Sequence, residues 1–145
     1  MGVGSFHDLR AWQTARTFKL AIYRLSESSP LCQDCRLRNQ LCEAAASAVS
    51  QVAEGYGRFN PKDCARFLGM AKASLIEAQN HLQDAVDRRH ITEEAKVAHH
   101  ELARIALRDV TSLLEYLQSP KAAQNAQGIR NARQNRAQSK DSSEF

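Results

Sequence analysis

The stretch Gln40-Leu-Cys-Glu-Ala-Ala-Ala-Ser-Ala-Val-Ser-Gln-Val-Ala-Glu-Gly-Tyr-Gly-Arg58 reads as the second half of a long, alanine-rich helix. Ala44, Ala45, Ser47 and Ala48 are small enough to let a neighbouring helix approach closely. Glu54 falls in the last turn, where the helix dipole disfavours an acid, so its carboxylate is expected to find a cation or a donor. Gly55 and Gly57 end the helix, since glycine tolerates the left-handed conformation of a C-cap.

Working outward, the segment before it supplies the rest of the helix. Leu37, Leu41, Ala44, Ala48 and Val52 recur at three- and four-residue intervals, one face of an α-helix. Pro30 suits a first helical turn and not a helix interior, so this second helix starts between Pro30 and Cys35. Upstream, Ala11, Ala15, Phe18, Ile22 and Leu25 form the stripe of a first helix from about Leu9 to Glu27. Ser5 or Asp8 is available to cap it.

Downstream, Asn60-Pro61-Lys62-Asp63 is the clearest start signal: an N-cap, a proline at the first position and an acid in the first turn. Cys64, Leu68, Ala71, Leu75, Ala78, Leu82 and Ala85 then keep a seven-residue repeat. A helix from Pro61 to about Arg89 spans ~43 Å and asks for neighbours along its length. Thr92 caps a fourth helix, with Glu93 and Glu94 in its first turn. Its stripe is Leu102, Ala106, Val110, Leu113 and Leu117, with Ile105 and Leu114 beside it, and it ends at Ser119-Pro120. No segment alternates with the period of a strand. The expected architecture is all-α, an antiparallel up-down-up-down four-helix bundle over residues 6–119. Residues 1–5 are expected to be flexible, and residues 120–145 a disordered basic tail with too little apolar content to offset ordering entropy.

Composition narrows function. A chain of 145 residues fits one domain with a real core. It has no apolar run long enough for a membrane span and no signal-peptide apolar region. Phe6 stands where myristoylation needs a hydroxyl. A cytoplasmic protein with no membrane partner is expected. Cys32, Cys35, Cys42 and Cys64 then read as reduced thiols. The Cys32-x2-Cys35 pair has no second pair to complete a zinc site, and His99 and His100 are adjacent instead of spaced for one metal. No phosphate loop or nucleophile elbow is present. Neither a metal nor another cofactor is expected.

The net charge of +4 is uneven. Residues 121–145 hold five Lys/Arg and two Asp/Glu, whereas residues 1–120 hold fifteen and fourteen. The bundle is close to neutral, so a basic surface is expected first in the tail. There Arg130, Arg133 and Arg136 recur every three residues, followed by Lys140. Such an arm can bind nucleic-acid phosphates. Arg104 and Arg108, four apart on the fourth helix, are further candidates, and Arg36 and Arg38 lie near the start of the second helix; each set is interleaved with acids, as on a solvated face.

Phe6-x2-Leu9-x2-Trp12, Gln40-Leu41-x2-Ala44-Ala45-x-Ser47, Val52-Ala53-Glu54-Gly55-x2-Arg58 and Ser74-Leu75-x-Glu77 together resemble the four helix bundle protein family, also called the 23S rRNA-intervening-sequence protein family. The likeness runs over roughly residues 6–118 in helix order and loop position. It implies a ring-like homopentamer without enzymatic activity, in loose association with RNA. A related branch, the accessory protein of diversity-generating retroelements, forms a basic pentamer that binds a reverse transcriptase and nucleic acid. Self-association, RNA or DNA, and a protein partner such as a reverse transcriptase are therefore the partners implied. Cys42-Glu43 stands where the family usually has two basic residues, Gln51 where asparagine is usual, and Ala73 where glycine is usual.

The polar residues of the motif, Gln40, Ser47, Glu54, Arg58, Ser74 and Glu77, are expected to form an internal network that fixes helix register. In it Glu54 is answered by Arg58, Arg66 or the amides near Asn60. Leu9, Trp12 and Leu114 are expected to remain exposed beyond what one bundle core needs, and so to favour oligomerisation. The alternative reading is a structural or adaptor ring with a protein partner and no nucleic-acid role.

Overall fold

The computed structural model describes residues 4–58 and 60–141. Met1–Val3, within the segment expected to be flexible, and residues 142–145 lie outside the described residues.

Five α-helices follow one another: α1 (Arg10–Ser26), α2 (Cys35–Tyr56), α3 (Pro61–Asp87), α4 (Glu93–Leu117) and α5 (Pro120–Asp141). No strand occurs among the described residues. The first four are long and pack together. Each packs against its chain neighbour, and α1 packs against α4 to close the bundle. All seven residues of the α3 repeat, from Cys64 to Ala85, are buried. So are the α1 positions Ala11, Ala15, Phe18 and Ile22 and the α2 positions Leu37, Leu41, Ala44, Ala48 and Val52.

The α2–α3 pair has the most extensive contact, and its alanines explain it: small side chains on facing stripes bring the two backbones together. The last turn of α2 meets the first turns of α3 at Gly55, and the start of α2 meets the turn after α3 through Asp34. This acid caps α2 by accepting from the Leu37 amide at 3.2 Å. It also lies 3.0 Å from His90 Nε2 and 3.6 Å from Arg88 Nη1. The Leu37 amide, His90 and Arg88 together hold the Asp34 carboxyl below the usual carboxylate range.

Several details differ from the sequence expectation. α1 is capped at Leu9 with no side-chain bond, while Ser5 caps a single 3-10 turn, Phe6–Asp8, ahead of it. That turn places Phe6 and His7 against Trp12, with ring centroids 5.2 and 4.9 Å away. Trp12, Leu9 and Leu114 are consequently packed partly buried against the core, not exposed. The buried line of α4 is Ala103, Ala106 and Val110, and Leu102, Leu113 and Leu117 are half-buried at its edges.

The glycines also act differently from the expectation. Gly57 caps α2 in right-handed conformation (φ −71°), and no described glycine has positive φ. Gly55 lies inside the helix and is buried. A Cβ there would meet Phe67 Cβ at 3.2 Å and the Cys64 carbonyl at 3.3 Å. Its purpose is the close approach of α3, not the stopping of α2.

The tail is helical from Pro120 to Asp141, where disorder was expected. Low apolar content excludes a buried face, but Ala, Gln, Arg and Lys are good helix formers, and Pro120 suits a helix start. Ala122 is buried, and Asn125 Nδ2 donates to the Tyr116 hydroxyl at 3.0 Å. These contacts seat the first turns of α5 on α4.

Candidate nucleic-acid interface

A surface that binds a polyanion needs cations whose charge is not already answered within the protein. α4 supplies few. Arg104 grips Glu101 through two bonds, of 2.8 and 2.6 Å. This pairing lowers the Glu101 carboxyl below its ordinary range and raises the Arg104 guanidinium. Arg108 Nε donates to Asp109 Oδ1 at 3.2 Å. Both arginines nominated from the sequence are thus paired with carboxylates on their own helix.

α5 differs. Between Pro120 and Asp141 it carries Lys121, Arg130, Arg133, Arg136 and Lys140, with Asp141 its one acid. Arg136 is exposed. The side chains of Arg130, Arg133 and Lys140 lie outside what the structure describes.

The motif residues do not gather into one network. Ser74 Oγ reaches Gln51 Oε1 at 3.0 Å and Ser47 Oγ at 3.3 Å, joining α2 to α3. Gln51, noticed in the sequence only as a departure from the family pattern, is the principal acceptor. Glu77 pairs with His81 on its own helix at 3.3 Å. Gln40 is exposed and borders a polar hollow with Asp34, Arg36, Asp84 and Arg88. Glu54 is exposed as well. The arginines expected to answer it turn instead to Asp63, Arg58 at 3.7 Å and Arg66 at 3.1 Å, and both lie over the Phe67 ring. The amide of Lys62 is taken by Asn60 Oδ1. Glu54 lies in the last turn of α2 with no hydrogen bond or ion pair to Arg58, Arg66 or the Lys62 amide.

Other reactive side chains have local roles. His99 Nδ1 contacts the Ala95 carbonyl and His100 Nε2 the Gln79 carbonyl. The four cysteines are free, and burial followed by the charge of Asp63 pushes the Cys64 thiol up. Among the described residues no three His, Cys, Asp or Glu side chains are grouped to hold a metal ion, and no helix is long and apolar enough to cross a membrane.

Sequence reasoning missed Asp109. It is buried, its Oδ2 has no hydrogen-bond partner among the described residues, and it borders a groove shared with Leu9, Ala11, Leu113 and Tyr116. The exposed large apolar residues are also not those expected. Met70 and Ile76 of α3 are 41% and 49% exposed, and with the exposed Ala73 they make an uncharged outer stripe at three-residue spacing. That spacing was visible in the sequence, but Met70 and Ile76 could equally have widened the buried face.

A search of curated proteins returned no match. The family described as 23S rRNA-intervening sequence protein matches residues 7–119, which takes in all four bundle helices and stops at the start of α5. The chain belongs to the 23S rRNA-intervening sequence protein family.

Proposed function

We propose that the protein is a non-enzymatic, cytoplasmic, homopentameric ring of antiparallel up-down-up-down bundles. Its α5 helices hold nucleic acid or a nucleoprotein. The observation that carries this reading is α5 itself, a basic helix seated on the bundle by its first turns. Five such arms on one ring act together through effective concentration, so weak single contacts sum to firm binding. Ring formation is supported by the uncharged Met70-Ala73-Ile76 stripe and by the groove beside Asp109, whose unpaired carboxylate oxygen a neighbouring protomer would satisfy.

The test is an electrophoretic shift with structured RNA at two salt concentrations, comparing the full chain with one ending at Ser119. Binding at low salt should fall steeply with added salt, and the shortened chain should bind more weakly. No binding at low salt, or equal binding by the shortened chain, contradicts the role given to α5.

A second reading is a structural or adaptor ring that binds a protein, such as a reverse transcriptase. The Met70-Ala73-Ile76 stripe favours it, because uncharged exposed faces suit protein partners better than phosphates. So does Cys42-Glu43, which stands where basic residues were expected. Recovery of the same partner with and without nuclease separates the two readings.

A further inference from the structure

The near-neutral charge of the bundle conceals a segregation. α1 carries Arg10, Arg16, Lys19 and Arg24 and no Asp or Glu. α2, α3 and α4 each mix both signs. The α3 and α4 arginines are paired, Arg66 with Asp63, Arg104 with Glu101 and Arg108 with Asp109. No α1 cation has a carboxylate within salt-bridge distance among the described residues.

Two of these cations lie on aromatic rings instead. Arg16 Cζ is 5.8 Å from the Trp12 centroid, and Lys19 Nζ is 5.7 Å from that of Tyr23. Positions 12, 16, 19 and 23 follow four-three-four spacing and so share one stripe of the helix. The stripe is about 16 Å long. A cation over a ring keeps its full charge and its outward N–H donors while its position is restrained. The Trp12 platform is itself fixed by Phe6 and His7. The polar residues between the cations are occupied locally: Gln13 Nε2 donates to the His7 carbonyl and Thr17 to the Gln13 carbonyl. What this stripe offers a partner is the unneutralised positive charge of Arg16 and Lys19.

We propose that the outer face of α1 binds the phosphodiester backbone of a nucleic acid, with Arg16 and Lys19 at its centre and the exposed Arg24 on the adjoining side of the helix. An acidic protein is the poorer fit. A protein interface needs an apolar, desolvated centre, whereas here the apolar rings of Trp12 and Tyr23 each lie under a cation and Leu20 is half-buried. A phosphate backbone needs only spaced cations and donors. This assignment shares the nucleic-acid reading with the function proposed above, but it does not depend on α5.

The decisive experiment titrates the chain ending at Ser119 against labelled single-stranded RNA, hairpin RNA and duplex DNA over a range of salt. Four variants are compared at equal concentration. The unsubstituted shortened chain should bind at low salt, with log affinity falling linearly against log salt. Arg16→Gln/Lys19→Gln should lower that slope by about two. The loss of affinity between about 50 and about 200 mM salt should therefore shrink by about tenfold. Lys62→Gln/Lys72→Gln removes the same charge from α3 and should leave the slope unchanged. Arg16→Lys/Lys19→Arg preserves charge and should keep the slope, which separates loss of charge from loss of fold.

Binding by the full chain but not by the shortened one overturns the α1 assignment and leaves α5 as the binder. Binding by neither overturns both. An equal loss in the α3 variant, or an undiminished slope in Arg16→Gln/Lys19→Gln, removes the site from α1. Equal affinity for polyglutamate makes the face a dock for acidic protein and overturns the proposal. The nucleic acid bound most tightly identifies which backbone the face prefers.

Discussion

Phe18→Ala should lower stability by about 3–5 kcal/mol, measured by urea unfolding followed by circular dichroism. Phe18 is 0% exposed, and α1 buries few other large side chains: Ile22 is one, while positions 11, 15 and 21 are alanine. The facing surfaces are also rich in alanine, at 44, 45, 48, 103 and 106. A methyl group cannot swing inward to fill the space a phenyl ring leaves, so the cavity term should be close to its full value. A domain of this size has about 5–15 kcal/mol in total, so the variant should be close to unfolding at physiological temperature. Comparisons belong at equal protein concentration, because self-association adds to apparent stability. A loss under about 1 kcal/mol, typical of a site that can collapse or is partly exposed, would contradict a core centred on Phe18.

The two glycines at the end of α2 should respond in opposite directions. Gly55→Val gains a few tenths of a kcal/mol in helix propensity. It also places a branched side chain where a Cβ alone would lie 3.2 Å from Phe67 Cβ and 3.3 Å from the Cys64 carbonyl. Both obstacles belong to α3, and one is backbone, so relief requires the helices to move apart. Overpacking of this kind costs about 1–3 kcal/mol, which outweighs the propensity gain. Gly57→Ala meets only the Glu54 carbonyl at 3.4 Å, in a right-handed conformation that alanine accepts. It should stabilise by about 0.4–1 kcal/mol through the unfolded state. Thermal melts of both variants check the pair. A stabilising Gly55→Val, or a strongly destabilising Gly57→Ala, would return these residues to the role of left-handed caps.

That contrast shows where sequence patterning is informative and where it stops. Apolar periodicity located the four bundle helices and their buried faces, because burial follows the 3.6-residue repeat directly. The caps at Asn60 and Thr92 were legible because capping is chemistry between near neighbours. Gly55 was not, since one residue type serves both a backbone turn and a close helix crossing, and only the position of Phe67 distinguishes them. Asp34 caps α2 through the nearby Leu37 amide, but the tie it makes to the turn after α3 was not legible, because His90 and Arg88 are far away in sequence. Helix α5 escaped detection because its order comes from propensity and a few first-turn contacts, without an apolar stripe. Charge behaved in the same way. Arg16 and Arg104 look alike in the sequence. In the structure Glu101 grips one, while the other lies on Trp12 with no carboxylate beside it. The absence of acids from Arg10 to Ser26 was readable, but its consequence depends on pairing across space.

Assembly remains the property on which the proposed function most depends, since a single bundle would present one α5 arm and leave the Met70-Ala73-Ile76 stripe uncovered. Sedimentation equilibrium of the full chain at micromolar concentration measures it directly. A single species of five times the 16.2 kDa chain mass is the predicted result. A species with the mass of one chain would contradict the ring.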